Sequence, residues 1–185
     1  VNSFKHLNIK IIKINNPRLL EKIDCLVIPG VGSFGSYMKI LREKKFINSL
    51  NYFALEKKKP ILGICLGLHL FLESSEEEAS VKGLGWIKGT AEKLKKVNQK
   101  TLNVGWSRIN KIESLKIPFD NYFYFDHSYT VKVNRKYILS RVVERNIPAV
   151  VHKNNLIATQ FHPEKSSLSG SSFFNNFLKF YKIIE

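Results

Sequence analysis

Short apolar runs alternate with amphipathic segments in the first half of the chain. Residues 25–28 form a continuous apolar run that ends at Pro29-Gly30, and residues 60–64 form another; both predict strands buried on both faces. Residues 37–57 carry apolar side chains at helical spacing and predict one helix. This alternation predicts a parallel α/β sheet flanked by helices. Further predicted elements are a helix tail at 3–7, a strand at 9–14, a turn or short helix at 17–21 and a helix at 66–73.

From Gly83 onward the segments become short, aromatic and β-branched, with polar turns between them. They predict antiparallel or mixed strands added to the sheet, and the chain ends in a predicted amphipathic helix at 173–184. Because the 185 residues contain no internal repeat and no Pro/Gly-rich linker, we expect a single domain over residues 1–185. The strands predicted in this half are 85–94, 119–133, 138–143 and 156–161.

The composition is that of a globular protein, with 44% apolar and 12% aromatic residues. No apolar run approaches the ~20 residues that span a bilayer, and no signal-peptide core opens the sequence. Two cysteines, Cys25 and Cys65, are too few for a disulfide framework, so we expect reduced thiols and a cytoplasmic location.

The formal net charge of +15 makes nucleic-acid binding an alternative to consider. However, 24 of the 30 basic residues are Lys, whereas Arg is preferred for bidentate phosphate and base contacts. The lysines are spread along the chain, with clusters only at 57–59 and at Lys93, Lys95 and Lys96. A compositional bias explains the charge at least as well, and no nucleic-acid partner is expected.

Cys65 lies in Gly63-Ile64-Cys65-Leu66-Gly67, between a predicted buried strand and a predicted helix. This is the thiol counterpart of the nucleophile elbow, whose sharp turn needs glycines where neighbouring backbones approach. A position at a helix N-terminus also favours the reactive thiolate. A lone cysteine is more often a buried structural residue, which is our interpretation of Cys25. The flanking glycines favour a nucleophilic Cys65.

A cysteine nucleophile needs a base and a group that orients the base. Of the five histidines, His162 stands out because it follows an apolar strand in Gln160-Phe161-His162-Pro163-Glu164. In an extended backbone His162 and Glu164 point to the same side, so the carboxylate can reach the imidazole. On its own the pair would more often be a surface His beside a solvated Glu. Together with the elbow it predicts a Cys65, His162, Glu164 triad.

Pro29-Gly30-Val31-Gly32 follows the first buried strand, and its glycines allow backbone N–H groups to face a developing oxyanion. Such turns are common in α/β folds, so this motif is weak by itself. With the elbow and the His-Pro-Glu triplet, the chain resembles the class I (triad) glutamine amidotransferases, most closely the glutaminase subunits of the histidine pathway. The matching stretches are PGVGSFG (29–35), GICLG (63–67), FLESSEE (71–77), GLGWIKG (83–89), VGW (104–106), YFYFDHSY (122–129) and QFHPEKS (160–166).

The resemblance implies a flavodoxin-like fold and a reaction without metal or cofactor. Cys65 attacks the side-chain amide of L-glutamine, His162 passes a proton to the leaving ammonia, and water hydrolyses the glutamyl thioester. Ammonia then travels to a (β/α)8 cyclase that forms a heterodimer with the glutaminase and makes imidazole glycerol phosphate and AICAR. The residues implied are Gly30, Val31, Gly32 and Leu66 for oxyanion and substrate binding, His69, Ser128 and Tyr129 for glutamine, and Trp106 and Lys165 for the cyclase interface.

Three positions depart from the family pattern. His69 replaces a glutamine-contacting Gln, which bears on substrate affinity; Asn103 replaces a His, and Asp126 replaces a Val or Ala. The family's opening strand, with its Asp-Tyr-Gly-x-Gly-Asn stretch, is expected before Val1 and is absent from this sequence, which suggests an incomplete chain.

Two alternatives remain open at this stage. A paralogous glutaminase could supply ammonia for sugar amidation in surface-polysaccharide biosynthesis, which the three departures favour. A catalytically silent regulatory or nucleic-acid-binding protein would account for His69 or for the net charge, but not for an intact triad.

Overall fold

The computed structural model describes residues 9–95, 102–112, 114–115 and 122–185. In this part of the chain the main sheet has five strands in the order β1-β2-β10-β9-β8. The pairs β1–β2 and β2–β10 are parallel, and the pairs β10–β9 and β9–β8 are antiparallel, so the sheet is mixed. The α/β class is confirmed. The strands are β1 (Leu26–Ile28), β2 (Ile61–Ile64), β8 (Ile138–Arg141), β9 (Pro148–Lys153) and β10 (Leu156–Thr159).

The helix predicted over residues 37–57 is interrupted. It consists of α1 (Phe34–Glu43), α2 (Phe46–Asn51) and a π-helical turn (Tyr52–Glu56). Lys45 separates the first two in a left-handed conformation, with φ of 56°. The bend lets apolar side chains of both helices enter one core, among them Met38 of α1 and Leu50 of α2. The step from Leu41 to Phe46 departs from the helical repeat of three or four residues, and the prediction of one continuous helix overlooked this break.

The other helices lie close to their predicted positions. A 3-10 turn covers Pro17–Lys22, α3 is Leu66–Leu70 and α4 is Ser167–Phe180. The last helix therefore begins six residues before its predicted start, in a stretch rich in Ser. The strand predicted over residues 9–14 is wrong, since that segment runs as coil. The helix tail predicted at residues 3–7 lies outside the described residues.

Most of the strands predicted after Gly83 do not extend the main sheet. A small sheet has the order β3-β4-β7, and β5 pairs with β6 in an antiparallel ribbon. Of the predicted additions, only β8 is an antiparallel extension, while β10 lies inside the main sheet, parallel to β2. The patterning did not predict β5 or β9 as strands. The small sheet consists of β3 (Ser74–Ser75), β4 (Gly89–Lys93) and β7 (Tyr129–Val133), and the ribbon of β5 (Asn103–Arg108) and β6 (Tyr122–His127).

The pairing of β2 with β10 positions the candidate site. Ile64 lies opposite Thr159 at the carboxyl ends of these parallel strands. The residues that follow, Cys65 on one side and residues 160–162 on the other, therefore emerge at one edge of the sheet. Cys65 packs in the core cluster that also contains Phe161 of the second segment. Residues far apart in the sequence thus become neighbours.

None of the helices in the described part of the chain has the length and apolarity that a bilayer crossing requires.

Candidate active site

The backbone at Cys65 is strained. Its φ of 51° and ψ of −103° put a residue with a Cβ in a sparsely populated region, at the cap position before α3. Two hydrogen bonds hold this conformation: the Cys65 N–H donates to the Thr159 carbonyl at 2.7 Å, and the Cys65 carbonyl accepts from the Leu68 N–H at 2.9 Å. The elbow predicted from the sequence is present.

The glycines of the elbow are required by close packing. A Cβ on Gly67 would meet the carbonyl oxygen of Ile28, and one on Gly63 would lie 2.9 Å from the Gly67 carbonyl carbon. Leu66, the first residue of α3, is buried beside them. Larger residues would force the turn away from β1 and displace the thiol.

His162 and Glu164 are in direct contact. The Nδ1 atom of His162 lies 2.7 Å from Oε1 of Glu164, and the imidazole is almost completely buried while the carboxylate is partly exposed. The predicted contact is present, but its predicted cause is wrong in part. His162 is extended, whereas Glu164 lies in a 3-10 turn, Pro163–Lys165, which curls the carboxylate back to the ring.

The charge state of His162 follows from its neighbours. Burial lowers the pKa of His162, but hydrogen bonds with Cys65 and Glu164 and the charges of both groups outweigh burial and raise the pKa to about 9. His162 therefore carries a proton at neutral pH, between a sulfur and a carboxylate. An imidazolium beside a cysteine is the arrangement that activates the thiol as a nucleophile.

Strand β6 fixes the backbone of His162. The His162 N–H donates to the Tyr124 carbonyl at 2.8 Å, and the Tyr124 N–H donates to Oγ of Ser166 at 2.9 Å. The Ser166 hydroxyl donates in turn to the His162 carbonyl at 2.6 Å. Ser166 thus clamps the histidine to β6. Sequence reasoning gave Ser166 no role.

The turn after β1 lies directly against the elbow. A Cβ on Gly30 would be 2.5 Å from the backbone N of Gly67 and from the carbonyl oxygen of Ile64, so the two turns touch. Val31 is exposed, and Gly32 has a positive φ of 113°. Just beyond, Oε2 of Glu77 accepts a hydrogen bond from the N–H of Phe34 at 3.1 Å. The predicted oxyanion turn is therefore adjacent to Cys65.

His69 and Gln160 form a buried neutral pair on a different side of the sulfur. The Nε2 atom of His69 lies 3.1 Å from Oε1 of Gln160, and Nε2 of Gln160 lies 3.8 Å from Sγ of Cys65. Burial lowers the pKa of His69 to about 4, which the hydrogen bond to Gln160 only partly opposes, so His69 is neutral at pH 7. Gln160 was inside a matching stretch, yet nothing in the sequence gave it a separate role.

A third buried histidine supports the segment predicted to hold glutamine. Nδ1 of His127 donates to the Tyr129 carbonyl at 2.7 Å, and Nδ2 of Asn103 donates to Nε2 of His127 at 3.0 Å. Burial lowers the pKa of His127 to about 3. The neighbouring Ser128 carbonyl accepts from the Leu94 N–H at 2.9 Å, so hydrogen bonds fix both residues of the segment.

The two residues predicted at a subunit interface lie on one exposed face. Trp106 is 52% exposed on β5 and meets Tyr124 of β6 edge to face, with ring centroids 6.2 Å apart. Nζ of Lys165 lies 5.5 Å from the centroid of that Tyr124 ring and 3.8 Å from Oδ2 of Asp126. The Asp126 carbonyl oxygen, in contrast, is 4.0 Å from Sγ of Cys65. Strand β6 therefore has its backbone next to the thiol and some of its side chains on the exposed surface. This surface, with Trp106, Tyr124, Asp126 and Lys165, is called the ribbon face.

The lysine cluster at 57–59 makes local contacts. Lys59 donates to the Ile23 carbonyl at 2.5 Å and lies 3.6 Å from Asp24, and Lys57 lies over the Tyr52 ring. In the second cluster, Lys96 lies outside the described residues.

Within the described ranges, no group of three or more His, Cys, Asp or Glu side chains could hold a metal ion.

The whole chain resembles known glutamine amidotransferases. A model of the family "Glutamine amidotransferase class-I" matches residues 1–180. Imidazole glycerol phosphate synthase subunit HisH 1 of Methanococcus maripaludis is 39% identical over 91% of this chain and 87% of its own length. The subunit HisH 1 of Campylobacter jejuni is 42% identical over 89% and 85%. A crystal structure titled glutamine amidotransferase superposes with a TM-score of 0.79, covering 98% of this chain and 91% of that one, at 18% identity. The chain belongs to the class-I glutamine amidotransferase family.

Proposed function

We propose that this chain is the glutaminase subunit of an imidazole glycerol phosphate synthase. It hydrolyses L-glutamine to glutamate and ammonia and passes the ammonia to a cyclase subunit. The observation that carries the proposal is the placement of Cys65, beside protonated His162, with Glu164 2.7 Å from the imidazole. The names of relatives near 40% identity favour the histidine pathway, and none of those quoted above favours the polysaccharide alternative.

The reaction begins with attack by the sulfur of Cys65 on the side-chain amide carbon of glutamine. The proton carried by His162 then transfers to the departing nitrogen, which leaves as ammonia and gives a glutamyl thioester. Glu164 stabilises His162 whenever it is protonated and orients the neutral imidazole in the thioester intermediate, since its carboxylate contacts the other ring nitrogen. Water, deprotonated by His162, attacks the thioester; the C–S bond breaks and glutamate is released.

The oxyanion of each step needs hydrogen-bond donors near the elbow. The turn of Gly30, Val31 and Gly32 is in contact with the elbow, which suits it to offer backbone N–H groups. We assign the holding of glutamine to the segment Ser128–Tyr129, which His127 and Leu94 fix from behind. This placement needs no metal and no cofactor.

We assign the cyclase contact to the ribbon face. Its exposed apolar side chains, Val104, Trp106 and Tyr122, surround the half-buried Tyr124, and aromatic residues of this kind are typical of interface centres. Lys165 and Asp126 provide a polar rim. Because the carbonyl of Asp126 is 4.0 Å from Sγ, ammonia formed at Cys65 would have a short way to a partner on this face. Free thiols at Cys25 and Cys65 fit a cytoplasmic reaction.

The decisive experiment is replacement of the nucleophile. Cys65→Ala is expected to abolish glutamine hydrolysis in the complex with the co-purified cyclase, while the complex still forms. Cys25→Ala, at the other thiol, is the matched control and should keep its activity. Full hydrolysis by Cys65→Ala would refute the proposal.

The interface assignment has its own test. Trp106→Ala should weaken binding of the cyclase, measured by calorimetry, by about tenfold or more. Tyr52→Ala, which removes a ring of similar exposure on a different element, should leave the affinity unchanged. Equal affinities for both variants would place the partner elsewhere.

A further inference from the structure

We propose that Gln160 is a further catalytic residue, donating from its side-chain amide to the sulfur of Cys65, and that His69 is the residue that positions this amide. The effect on catalysis rests on the proposed glutaminase function. The contacts that suggest it are observed in the side chains around the sulfur. The chain of contacts runs from His69 Nε2 to Gln160 Oε1 at 3.1 Å and from Gln160 Nε2 to Cys65 Sγ at 3.8 Å.

The burial of the pair fixes the direction of the hydrogen bonds. Gln160 is fully buried and His69 nearly so, which means that an unmatched donor or acceptor here would be costly. With Oε1 of Gln160 facing the imidazole, Nε2 of His69 must carry the hydrogen, and the amide NH2 then faces the sulfur. Rotating the amide by half a turn would place its carbonyl oxygen against the sulfur, which would oppose the negative charge that the sulfur gains when it leaves the thioester.

A neutral His69 suits this role. A protonated imidazole would place a second positive charge in a region that already contains protonated His162. Burial keeps His69 uncharged at neutral pH, so it acts as a fixed N–H donor and not as a competing acid. The titratable groups that influence this region, in the described residues, are His162 with Cys65 and Glu164, His69 itself, and His127 with the neighbouring charge of Arg145.

The donor would matter at two points of the reaction. At the attack on the amide carbon it stabilises the negative charge of the sulfur nucleophile. In the second half of the reaction, the thiolate leaves the tetrahedral carbon with the electron pair of the C–S bond, and the amide N–H again meets that charge. Because the observed contact of Gln160 is with the nucleophile, we expect its effect on kcat and not on the affinity for glutamine.

The test measures the sulfur directly. The protein is alkylated with iodoacetamide over a range of pH, and the rate at Cys65 is followed by mass spectrometry of its peptide. Gln160→Met keeps the shape but removes the donor, and we expect the pH of half-maximal rate to rise by about one unit. His69→Leu, which leaves the amide unanchored, should produce a smaller rise in the same direction. His69→Gln, whose own amide can still donate to Gln160, should return the profile to that of the wild type.

Steady-state kinetics in the complex with the cyclase separate this role from substrate binding. Gln160→Met should lower kcat for glutamine about tenfold or more at nearly constant KM. Wild-type alkylation profiles in both Gln160→Met and His69→Leu would overturn the proposal, as would a rise in KM as the only effect. Should Gln160→Met fail to fold, the comparison of His69→Leu with His69→Gln decides alone. Shifted alkylation in a chain that does not hydrolyse glutamine would instead refute the proposed function and leave the Gln160 donor standing.

Discussion

Two buried histidines lie close to one sulfur and adopt opposite charge states. His162 contacts a carboxylate and the Cys65 sulfur, which raise its pKa to about 9. His69 contacts the amide of Gln160, and burial lowers its pKa to about 4. Burial is common to both, so the partner decides the charge. The protonated His162–Glu164 pair handles protons, and the neutral His69–Gln160 pair supplies fixed dipoles.

The largest expected difference between the two pairs is catalytic. The same substitution, His to Gln, should lower kcat by about 10⁴-fold at position 162, where proton transfer is lost, and by less than about threefold at position 69, where a donor remains. Steady-state glutaminase assays in the presence of the cyclase measure both. Similar losses of kcat at the two positions would show that the two histidines do not differ in their catalytic role.

Removing the charge of Glu164 should make the His162–Glu164 pair behave more like the neutral His69–Gln160 pair. Glu164→Gln replaces a carboxylate with an amide, so the pKa of His162 should fall below about 9 and kcat should drop about 10³-fold. Titration of the His162 ring protons by NMR follows the first effect. Glu164→Asp, which keeps the charge, serves as the control, and an unchanged titration in Glu164→Gln would contradict our account.

The two histidines should also give opposite dependences of stability on pH. The raised pKa of His162 means that its contribution is complete below pH 6.5 and is lost as pH rises through about 9. The lowered pKa of His69 means that stability is complete above pH 6.5 and falls as pH drops toward 4, by on the order of 3 kcal/mol.

Denaturant unfolding between pH 4 and 9 checks both slopes. His69→Gln should reduce only the loss of unfolding free energy at acid pH. Part of that loss should remain, because the pKa of His127 is also lowered. A change confined to the alkaline limb would mean that the charge states are assigned to the wrong histidines.

The smallest effect is expected at the third buried histidine. Asn103→Ala removes the donor to Nε2 of His127 and should lower the free energy of unfolding by about 1 kcal/mol, with little change in kcat. Thermal unfolding and glutaminase assays test this. A loss of activity as large as that of Glu164→Gln would place His127 with the protonated pair.

The sequence predicted the geometry at the carboxyl ends of β2 and β10 better than it predicted the sheets. The flanking glycines of Cys65 mark its elbow because close backbone packing excludes a Cβ there. The bend at Lys45 was overlooked, although the apolar spacing breaks between Leu41 and Phe46, and the separate β5–β6 ribbon depends on long-range pairing that local patterns do not encode. Gln160 was missed for a similar reason: its partners, Cys65 and His69, are more than 90 positions away.

The register of β2 against β10 has a consequence for the chain as it is made. Because Ile64 pairs with Thr159, the carbonyl that holds the elbow and the histidine beside the sulfur both leave the ribosome well after Cys65. A nascent polypeptide in which β10 has not yet been made therefore carries its thiol without proton acceptor or rigid turn. Glutamine hydrolysis is expected only from molecules in which β10 has joined β2.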